Sequence, residues 1–218
     1  MMARHSTGGR RGARAAKRAL DLAVAVPVVI VTAPVQLATA LAVRVALGRP
    51  VLFRQQRPGL HGRPFTMVKF RTMLLPEQVD GTTDDAVRLT PVGRVLRAAS
   101  LDELPTLLSV IAGDMSLVGP RPLLMEYLER YTPTQARRHE VRPGLTGLAQ
   151  VSGRNDQAWD DRLRLDVEYV DTWSFTGDVR ILIRTLGSVL RREGISATGH
   201  ATMPLFTGAT EPSTLRAT

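Results

Sequence analysis

An uncharged apolar segment, residues 22–43, constrains this chain more than any other feature of its sequence. It reads LAVAVPVVIVTAPVQLATALAV and contains Pro27 and Pro34. The segment is long enough to cross a bilayer, which takes roughly 20 residues of helix. Three structures are open for it: a cleaved signal peptide that ends near Ala40 or Ala42, a spanning helix, and a re-entrant helix that leaves the membrane on the side it entered.

Basic residues flank this segment on both sides, and this pattern favours the re-entrant helix. Residues 1–18 hold six Lys or Arg and no acid, and residues 44–57 hold four Arg and no acid. Because cytoplasmic flanks carry the Lys/Arg excess, a spanning helix would place one flank on the wrong side. Pro34 predicts a bend near the middle, since proline removes an intrahelical hydrogen bond, and Thr32 is placed to satisfy a freed carbonyl.

The composition excludes several classes of protein. A chain of 218 residues with 44% apolar residues fits one folded domain with an appendage. The absence of cysteine excludes a disulfide scaffold, a thiolate metal site and a Cys nucleophile, and the four spread histidines argue against a zinc site. Residues 1–18 carry +6 of the formal net charge of +9, which predicts a disordered arm attracted to lipid or nucleic acid. With only 5% aromatic residues, few side chains could stack on bases.

The rest of the chain predicts an α+β fold that is mainly helical. Strands are expected at 51–56 and 64–73, joined by a Pro- and Gly-rich turn at 57–62, so a short β-hairpin is predicted. The other predicted elements are a loop at 74–88, helices at 90–113, at 124–140 with a break near Pro133, at 157–172 and at 178–192, and loop with short strand at 141–155.

The last predicted helix leaves two interpretations open. Its apolar residues share one face, and its arginines lie largely off that face. The apolar residues are Val179, Leu182, Ile183, Leu186 and Leu190, and the arginines are Arg180, Arg184, Arg191 and Arg192. A helix that packs on the core has this pattern, and so has an amphipathic interfacial helix that lies on lipid.

The adjacent acids Asp102 and Glu103 are the candidate catalytic pair. Ser100 and Glu103 have the spacing of a capping box, so Glu103 has a purely structural alternative. Asp102 in the first turn would meet the positive end of the helix dipole, which favours its ionised form. An ionised carboxylate among backbone donors suits a nucleophile toward phosphorus or a ligand of Mg²⁺.

Basic residues cluster around this pair in the sequence, and two of them, Arg121 and Arg142, adjoin proline. The basic residues are Lys69, Arg71, Arg97, Arg121 and Arg142. Arginine suits bidentate contacts with phosphate, so the clusters predict an anionic, phosphate-bearing substrate. Neither a Walker loop nor a GxGxxG motif is present, which argues against a standard nucleotide-binding fold.

Five segments of the chain carry a family resemblance: KRALDLAVAVP, QQRPG, KFRTM, SLDELPTLLSVIAGDMSLVGPRPL and HEVRPGLTGLAQVSGRN. In these segments the chain resembles the bacterial sugar transferases, the monotopic phosphoglycosyl transferases that start glycoconjugate assembly on a polyprenol carrier. The resemblance spans about residues 17–200, and the ending GISATGHATMPLF is most similar to the small, single-domain members. The family's membrane helix often bends at a Ser-Pro pair, and this chain has Ala33-Pro34 there.

The resemblance implies an enzyme on the cytosolic face of the bacterial inner membrane. It would transfer a sugar 1-phosphate from a UDP-sugar, with an N-acetylated or diacetamido sugar as the first guess, to polyprenyl (undecaprenyl) phosphate. UMP would be released, a covalent aspartyl phosphosugar would form, and Mg²⁺ would be the cofactor. This is the first membrane step of glycan, capsule or exopolysaccharide assembly. The implied domains are a basic arm at 1–18, a re-entrant helix at 19–46, the catalytic domain at 47–200 and a tail at 201–218.

The resemblance also assigns roles to single residues. Asp102 matches the nucleophile and a metal ligand, Glu103 its partner acid, and Pro34 the membrane bend, while Lys69, Arg71, Arg97, Arg121 and Arg142 match substrate-binding residues. Membrane lipid is an expected partner, nucleic acid is not, and a homodimer is left open. Two rivals from other classes are a secreted or anchored basic binding protein without catalysis and a basic nucleic-acid-binding protein with an apolar anchor.

Overall fold

The computed structural model describes residues 7–82, 84–153, 158–190 and 205–208. The chain is mainly helical with a short antiparallel hairpin, as predicted. The α-helices are α1 (Thr7–Val31), α2 (Ala33–Ala46), α3 (Asp85–Arg88), α4 (Pro91–Ala98), α5 (Leu107–Ala112), α6 (Pro133–Ala136), α7 (Leu148–Ser152), α8 (Trp159–Thr172) and α9 (Phe175–Leu190). The strands are β1 (Leu52–Pro58), β2 (Pro64–Phe70), β3 (Ser116–Val118) and β4 (Gly144–Thr146). Short 3-10 helices span Leu60–Gly62, Pro76–Gln78, Leu101–Thr106, Met125–Arg130 and Arg137–Glu140.

Helices α1 and α2 meet at an angle of 60°, which confirms the predicted bend. Pro34 lies in the first turn of α2, where it has no N–H to continue the hydrogen-bond ladder of α1. Thr32 Oγ1 donates to the carbonyl of Val28 at 2.6 Å, and Gln36 Nε2 donates to Thr32 Oγ1 at 3.0 Å. The Val28 carbonyl already accepts the N–H of Thr32 at 2.9 Å, whereas the carbonyl that loses a donor at Pro34 is that of Ile30, so Thr32 does not play the predicted role. Gln36 adds a second polar side chain at a bend that lacks the serine of the Ser-Pro pair.

The bent pair has an apolar surface that the rest of the chain leaves uncovered. Ile30, Val31, Leu37, Leu41 and Val45 are each more than 60% exposed. Within the described part of the chain no one helix is long and apolar enough to cross a bilayer, whereas α1 and α2 together have that length and composition.

The N-terminal arm differs from the prediction. We expected disorder over residues 1–18, but α1 begins at Thr7, and within this arm only residues 1–6 lie outside the described residues. Arg18 donates to the carbonyls of Val110 and Ile111 at 2.6 Å each, near the C-terminal end of α5, where a cation is favoured. The arm was predicted from local composition, whereas these acceptors come from a distant part of the chain.

The residues of the apolar segment are part of the core. Ala25 in α1 is fully buried in the main hydrophobic cluster, and Val43 in α2 is fully buried in a second cluster with Leu47, Phe70 and Leu96. Such packing is the behaviour of a permanent element of the fold and argues against the signal-peptide interpretation.

The predicted hairpin is present, and α4 packs directly against the backbone that follows β2. Strands β1 and β2 pair antiparallel, with Leu52 opposite Phe70. A Cβ atom on Gly93 would lie 1.9 Å from the carbonyl oxygen of Thr72, so this position requires glycine. The close approach brings the C-terminal end of α4, which carries Arg97, beside the end of β2.

The helix predicted over 90–113 is broken into α4, the 3-10 helix Leu101–Thr106 and α5. The break falls at Ser100, whose φ of 54° is left-handed and does not continue a helix. Short helical turns also occupy part of the predicted loop at 74–88, and the predicted break near Pro133 is present, with Thr132 as the N-cap of α6.

Strand β4 lies within 141–155, where a short strand was predicted, but β3 and its parallel pairing with β4 were not predicted. Ser116 lies opposite Gly144 and Val118 opposite Thr146. A Cβ on Gly144 would lie 2.1 Å from the backbone nitrogen of Gly119, so the two backbones touch. This contact holds the turn at residues 119–122 beside the Arg-Pro-Gly turn at 142–144.

The C-terminal elements close the core. Ile181 of α9 is buried, while Ile183 and Leu186 are 66% and 61% exposed, so α9 has a core side and an apolar outer side. The predicted positions Arg191 and Arg192 lie outside the described residues. Phe206, in the predicted tail, is 2% exposed and packs against Tyr127, so this part of the tail belongs to the folded unit.

Candidate active site

The two acids lie on the 3-10 helix Leu101–Thr106, which is attached to the hairpin. Thr106 Oγ1 donates to the carbonyl of Val68 in β2 at 2.9 Å. Asp102 is buried, with 8% of its surface exposed, and Glu103 faces Lys69 of the same strand. The hairpin therefore sets the position of the acidic pair.

Glu103 joins two cations from separate parts of the chain. Lys69 Nζ and Arg121 Nη2 each donate to its Oε1 at 2.6 Å. Burial acts to raise the pKa of Glu103, but the charges of Arg121 and Lys69 outweigh it and hold the pKa well below its ordinary value. Glu103 is therefore an ionised residue throughout the physiological pH range.

The capping-box interpretation of Glu103 is wrong. Ser100 is left-handed and its side chain caps nothing, and the Glu103 carboxylate points instead to Lys69 and Arg121. The spacing in the sequence matched a capping box, but such a box requires an extended N-cap residue, and the backbone at Ser100 does not supply one.

Asp102 has a different environment from the one its position in a first turn indicated. Burial raises the pKa of Asp102, and the adjacent charge of Glu103 raises it further, while Lys69, Arg97 and Arg121 act in the opposite direction. The helix dipole was expected to favour the ionised form, but a 3-10 helix of six residues has little dipole and the burial dominates. The nearby cations are thus what keeps a buried carboxylate available in its charged form.

The remaining predicted residues divide into two groups. Arg97 joins the pair, because its charge acts on Asp102 and its Nε donates to Thr72 Oγ1 at 3.0 Å. Arg71 instead donates to the carbonyl of Leu47, where α2 ends, and Arg142 donates to the carbonyl of Gly113 at 2.7 Å. The structure brings Lys69, Arg97 and Arg121 to the acids and gives Arg71 and Arg142 other partners.

Comparison with known proteins gives the family of this chain. The family model for bacterial sugar transferases matches residues 12–192. The chain belongs to that family. It is 52% identical over 198 residues to the uncharacterized sugar transferase EpsL of Bacillus subtilis, covering 90% of this chain and 98% of that protein.

Two further relatives of this sugar transferase carry more specific names. The chain is 44% identical over 186 residues to the UDP-glucose:undecaprenyl-phosphate glucose-1-phosphate transferase of Caulobacter vibrioides, and the match covers 80% of this chain and 69% of the relative. It is 38% identical over 203 residues to the undecaprenyl-phosphate galactose phosphotransferase of Salmonella typhimurium, covering 85% of this chain and 42% of the relative. The chain therefore spans less than half the length of the Salmonella protein.

Two residues near Arg121 were not predicted from the sequence as site residues. Arg138 is almost fully buried, and its Nη2 donates to the carbonyl of Arg121 and to Asp166 at 2.7 Å each. Arg57 lines the cleft that contains Lys69, Glu103 and Arg121. The QQRPG motif was a signal for Arg57, whereas nothing local in the sequence indicated Arg138.

The protein groups fit a metal only if the substrate supplies further ligands. Among the residues that the structure describes, no three carboxylate or histidine side chains lie close enough to form a site by themselves. Mg²⁺ is usually held by one or two carboxylates together with substrate phosphates, and Asp102 satisfies that requirement. Glu103 is less suited to this role, because its Oε1 is already shared by Lys69 and Arg121.

A separate cavity between α6 and α8 does not suit an anionic substrate. Its lining includes Asp160, Glu168 and Asp171, with Arg164 as the one basic residue among those described there. The cleft beside Glu103 is smaller, but it contains the cations.

Replacing Arg97 with glutamine should raise the pKa of Asp102. Arg97 stabilises the ionised carboxylate, so its loss should shift the titration of Asp102 to higher pH. The measurement is a carboxyl ¹³C NMR titration of the detergent-solubilised protein. Arg94→Gln is the matched control, because Arg94 is exposed on the same helix. An unchanged titration in Arg97→Gln would remove Arg97 from the electrostatics of this carboxylate.

Proposed function

We propose that this chain transfers a sugar 1-phosphate from a UDP-sugar to undecaprenyl phosphate and releases UMP through a covalent aspartyl phosphosugar. The observation that carries the proposal is the buried carboxylate of Asp102, set beside the Lys69–Glu103–Arg121 cluster and Arg97. A buried carboxylate surrounded by cations suits attack on a dianionic diphosphate, whose charge would otherwise repel it. The names of the Caulobacter and Salmonella relatives support the substrate classes.

In the first half-reaction an Oδ atom of Asp102 attacks the sugar-bearing phosphorus. A new O–P bond forms, the bond from that phosphorus to the bridging oxygen breaks, and UMP leaves with the electron pair. Lys69 and Arg121 are held by Glu103 where they can contact the departing phosphate. Charge that develops on the leaving group is offset without rearrangement, which is the main catalytic contribution of such preset cations.

In the second half-reaction an oxygen of undecaprenyl phosphate attacks the same phosphorus and releases the carboxylate of Asp102. The product is an undecaprenyl diphosphate sugar. The raised pKa of Asp102 marks a relatively basic carboxylate, which is a stronger nucleophile once ionised. A Mg²⁺ ion held by Asp102 and the diphosphate would supply further neutralisation of charge.

A lipid acceptor fits the apolar surface beside the site. Phe70 and Leu96, which flank the catalytic residues in sequence, pack with Val43 and Leu47 at the end of α2, and the outer side chains of α1 and α2 are exposed and apolar. We place the bent pair in the cytosolic leaflet of the inner membrane as a re-entrant element, with the site at the boundary where a soluble donor and a lipid phosphate meet. A binding protein without catalysis would not require a buried carboxylate such as Asp102 surrounded by cations.

The two named relatives act on different sugars, glucose and galactose. The sugar used here is therefore left to a screen of UMP release across UDP-sugars, including N-acetylated and diacetamido sugars, with undecaprenyl phosphate as the acceptor.

Asp102→Asn should abolish the first half-reaction. Given donor without acceptor, the wild-type enzyme should release one UMP per active site and become labelled with phosphosugar, because the nucleophile is consumed once. The variant should show neither burst nor label, and turnover should fall by orders of magnitude. Mass spectrometry of the labelled peptide locates the adduct. A full UMP burst from Asp102→Asn would contradict the covalent mechanism and indicate direct attack by undecaprenyl phosphate.

Glu103→Gln distinguishes the role of the second acid in the same assay. The amide cannot neutralise Lys69 and Arg121, so burst and turnover should both fall strongly, whereas a residue that only caps a helix would tolerate the change. Normal activity in this variant would show that the cluster does not need its negative charge.

Chelation should stop the reaction. EDTA should abolish UMP release, and added Mg²⁺ should restore it, because Asp102 alone can provide only part of a metal site and the diphosphate must complete it. Release that persists unchanged in EDTA would remove the metal from the mechanism.

Both ends of the bent pair should lie in the cytosol. The chain has no cysteine, so single cysteines at Ser6 and Arg54 can report on the two flanks. In intact bacteria both should be protected from a membrane-impermeant thiol reagent and should react after lysis. Labelling of one flank from outside would establish a spanning helix instead.

A further inference from the structure

The cleft beside Glu103 contains more positive than negative charge among its described residues. Its lining includes Arg57, Lys69 and Arg121 but only one acid, Glu103. Lys69 and Arg121 already share the carboxylate of Glu103. Arg57 is thus a third cation in a cleft whose one described carboxylate already pairs with the other two.

Arg57 has no charged partner within the part of the chain that the structure describes. Its Nη2 donates to the neutral amide oxygen of Gln55 at 2.5 Å, and its Nε is buried without a hydrogen-bond partner. A buried donor left unpaired in a protein interior is costly, and at a functional site it indicates a ligand that completes it. Burial and the nearby charge of Arg121 lower the pKa of Arg57 to about 10, so the guanidinium is still charged at neutral pH.

The position of Arg57 in the hairpin separates it from the membrane-facing elements. β1 begins beside α2, and Arg57 lies five residues farther along the strand than Leu52, or about 16 Å at the usual rise per residue. Lys69 is opposite Phe53, near the α2 end, and Arg57 is opposite Phe65, near the far end. The cleft therefore runs from Glu103, beside Asp102, past Lys69 and Arg121, away from the apolar surface.

Electrostatic neighbours give the same order. Lys69, Arg97 and Arg121 act on Asp102, whereas the titratable groups that act on Arg57 are Arg121 and the phenols of Tyr127 and Tyr131. Arg121 thus lies between the nucleophile and Arg57. A donor whose sugar-bearing phosphorus lies at Asp102 would extend its other phosphate past Arg121 in this direction.

We infer that Arg57 binds the nucleoside monophosphate part of the donor, through the phosphate that leaves with the nucleoside. This inference rests on the proposed function and adds a residue to it. A lipid phosphate is the less suitable occupant, because its polyprenyl chain would have to reach from the apolar surface to the far end of the hairpin. Arg57 is held in place by Gln55, so the guanidinium is oriented before the nucleotide arrives.

The test compares Arg57→Gln with Arg54→Gln, an exposed arginine on the same strand. UMP is the probe, and its binding to the full-length protein is measured by calorimetry and by the shift it causes in melting temperature. Arg57→Gln should bind UMP about tenfold or more weakly, as expected for the loss of a charge-assisted hydrogen bond. Arg54→Gln should bind like wild type, and the KM for undecaprenyl phosphate should be unchanged in both variants.

The melting temperature without ligand is a second readout, and it should fall in Arg57→Gln if Arg57 has only a structural role. Without ligand, Arg57→Gln should melt at the same temperature as wild type or higher, because it removes the repulsion with Arg121. Arg57→Lys should recover part of the UMP affinity. A clear fall in melting temperature with normal UMP affinity would make Arg57 a structural residue and overturn the inference.

The remaining outcomes separate this inference from the proposed function. Normal UMP affinity in Arg57→Gln with a raised KM for undecaprenyl phosphate would assign Arg57 to the acceptor and overturn the inference, while the enzyme activity stands. A wild-type protein that neither binds UMP nor releases it from any UDP-sugar would overturn the proposed function, and the role of Arg57 with it.

Discussion

The carboxylate of Glu103, shared by Lys69 and Arg121, is the interaction on which the active site depends. It joins three segments that are distant in sequence: strand β2, the 3-10 helix of the acids, and the turn that follows β3. Without this carboxylate, two partly buried cations would repel each other, and breaking such a cluster usually costs more than forming it gains. With it, both cations are held beside Asp102 before any substrate binds.

Helix α1 connects the apolar surface to that cluster. Lys17 donates to the carbonyl of Val118 at 2.9 Å and forms an ion pair with the fully buried Asp178, which also accepts hydrogen bonds from Tyr169 and Trp173. Val118 ends β3 and leads within three residues to Arg121. A buried carboxylate needs such partners to remain charged. The helices proposed to enter the membrane and the residues proposed to bind the donor are therefore parts of one packed unit.

Local features of the structure could be predicted from the sequence, because their causes lie within a few residues. The bend at Pro34, the hairpin and the break near Pro133 belong to this group. The disordered arm was a wrong prediction for Arg18, since its acceptors lie 92 and 93 residues away. The capping box at Ser100 failed because the residue spacing does not determine the backbone dihedrals that a cap requires.

By itself, the sequence determined the apolar segment with its basic flanks, the adjacent acids and the clustered basic residues, and these indicated a phosphate-bearing substrate at a membrane. The transfer reaction was implied by the family resemblance. Only the tertiary structure decided which arginines face the acids. Arg71 and Arg121 were both predicted to bind substrate, yet one holds the end of α2 and the other holds Glu103. The direction of a long side chain follows from which distant backbone packs beside it, and the pairing of β3 with β4 and the packing of Gly93 on Thr72 are long-range contacts that no local pattern specifies.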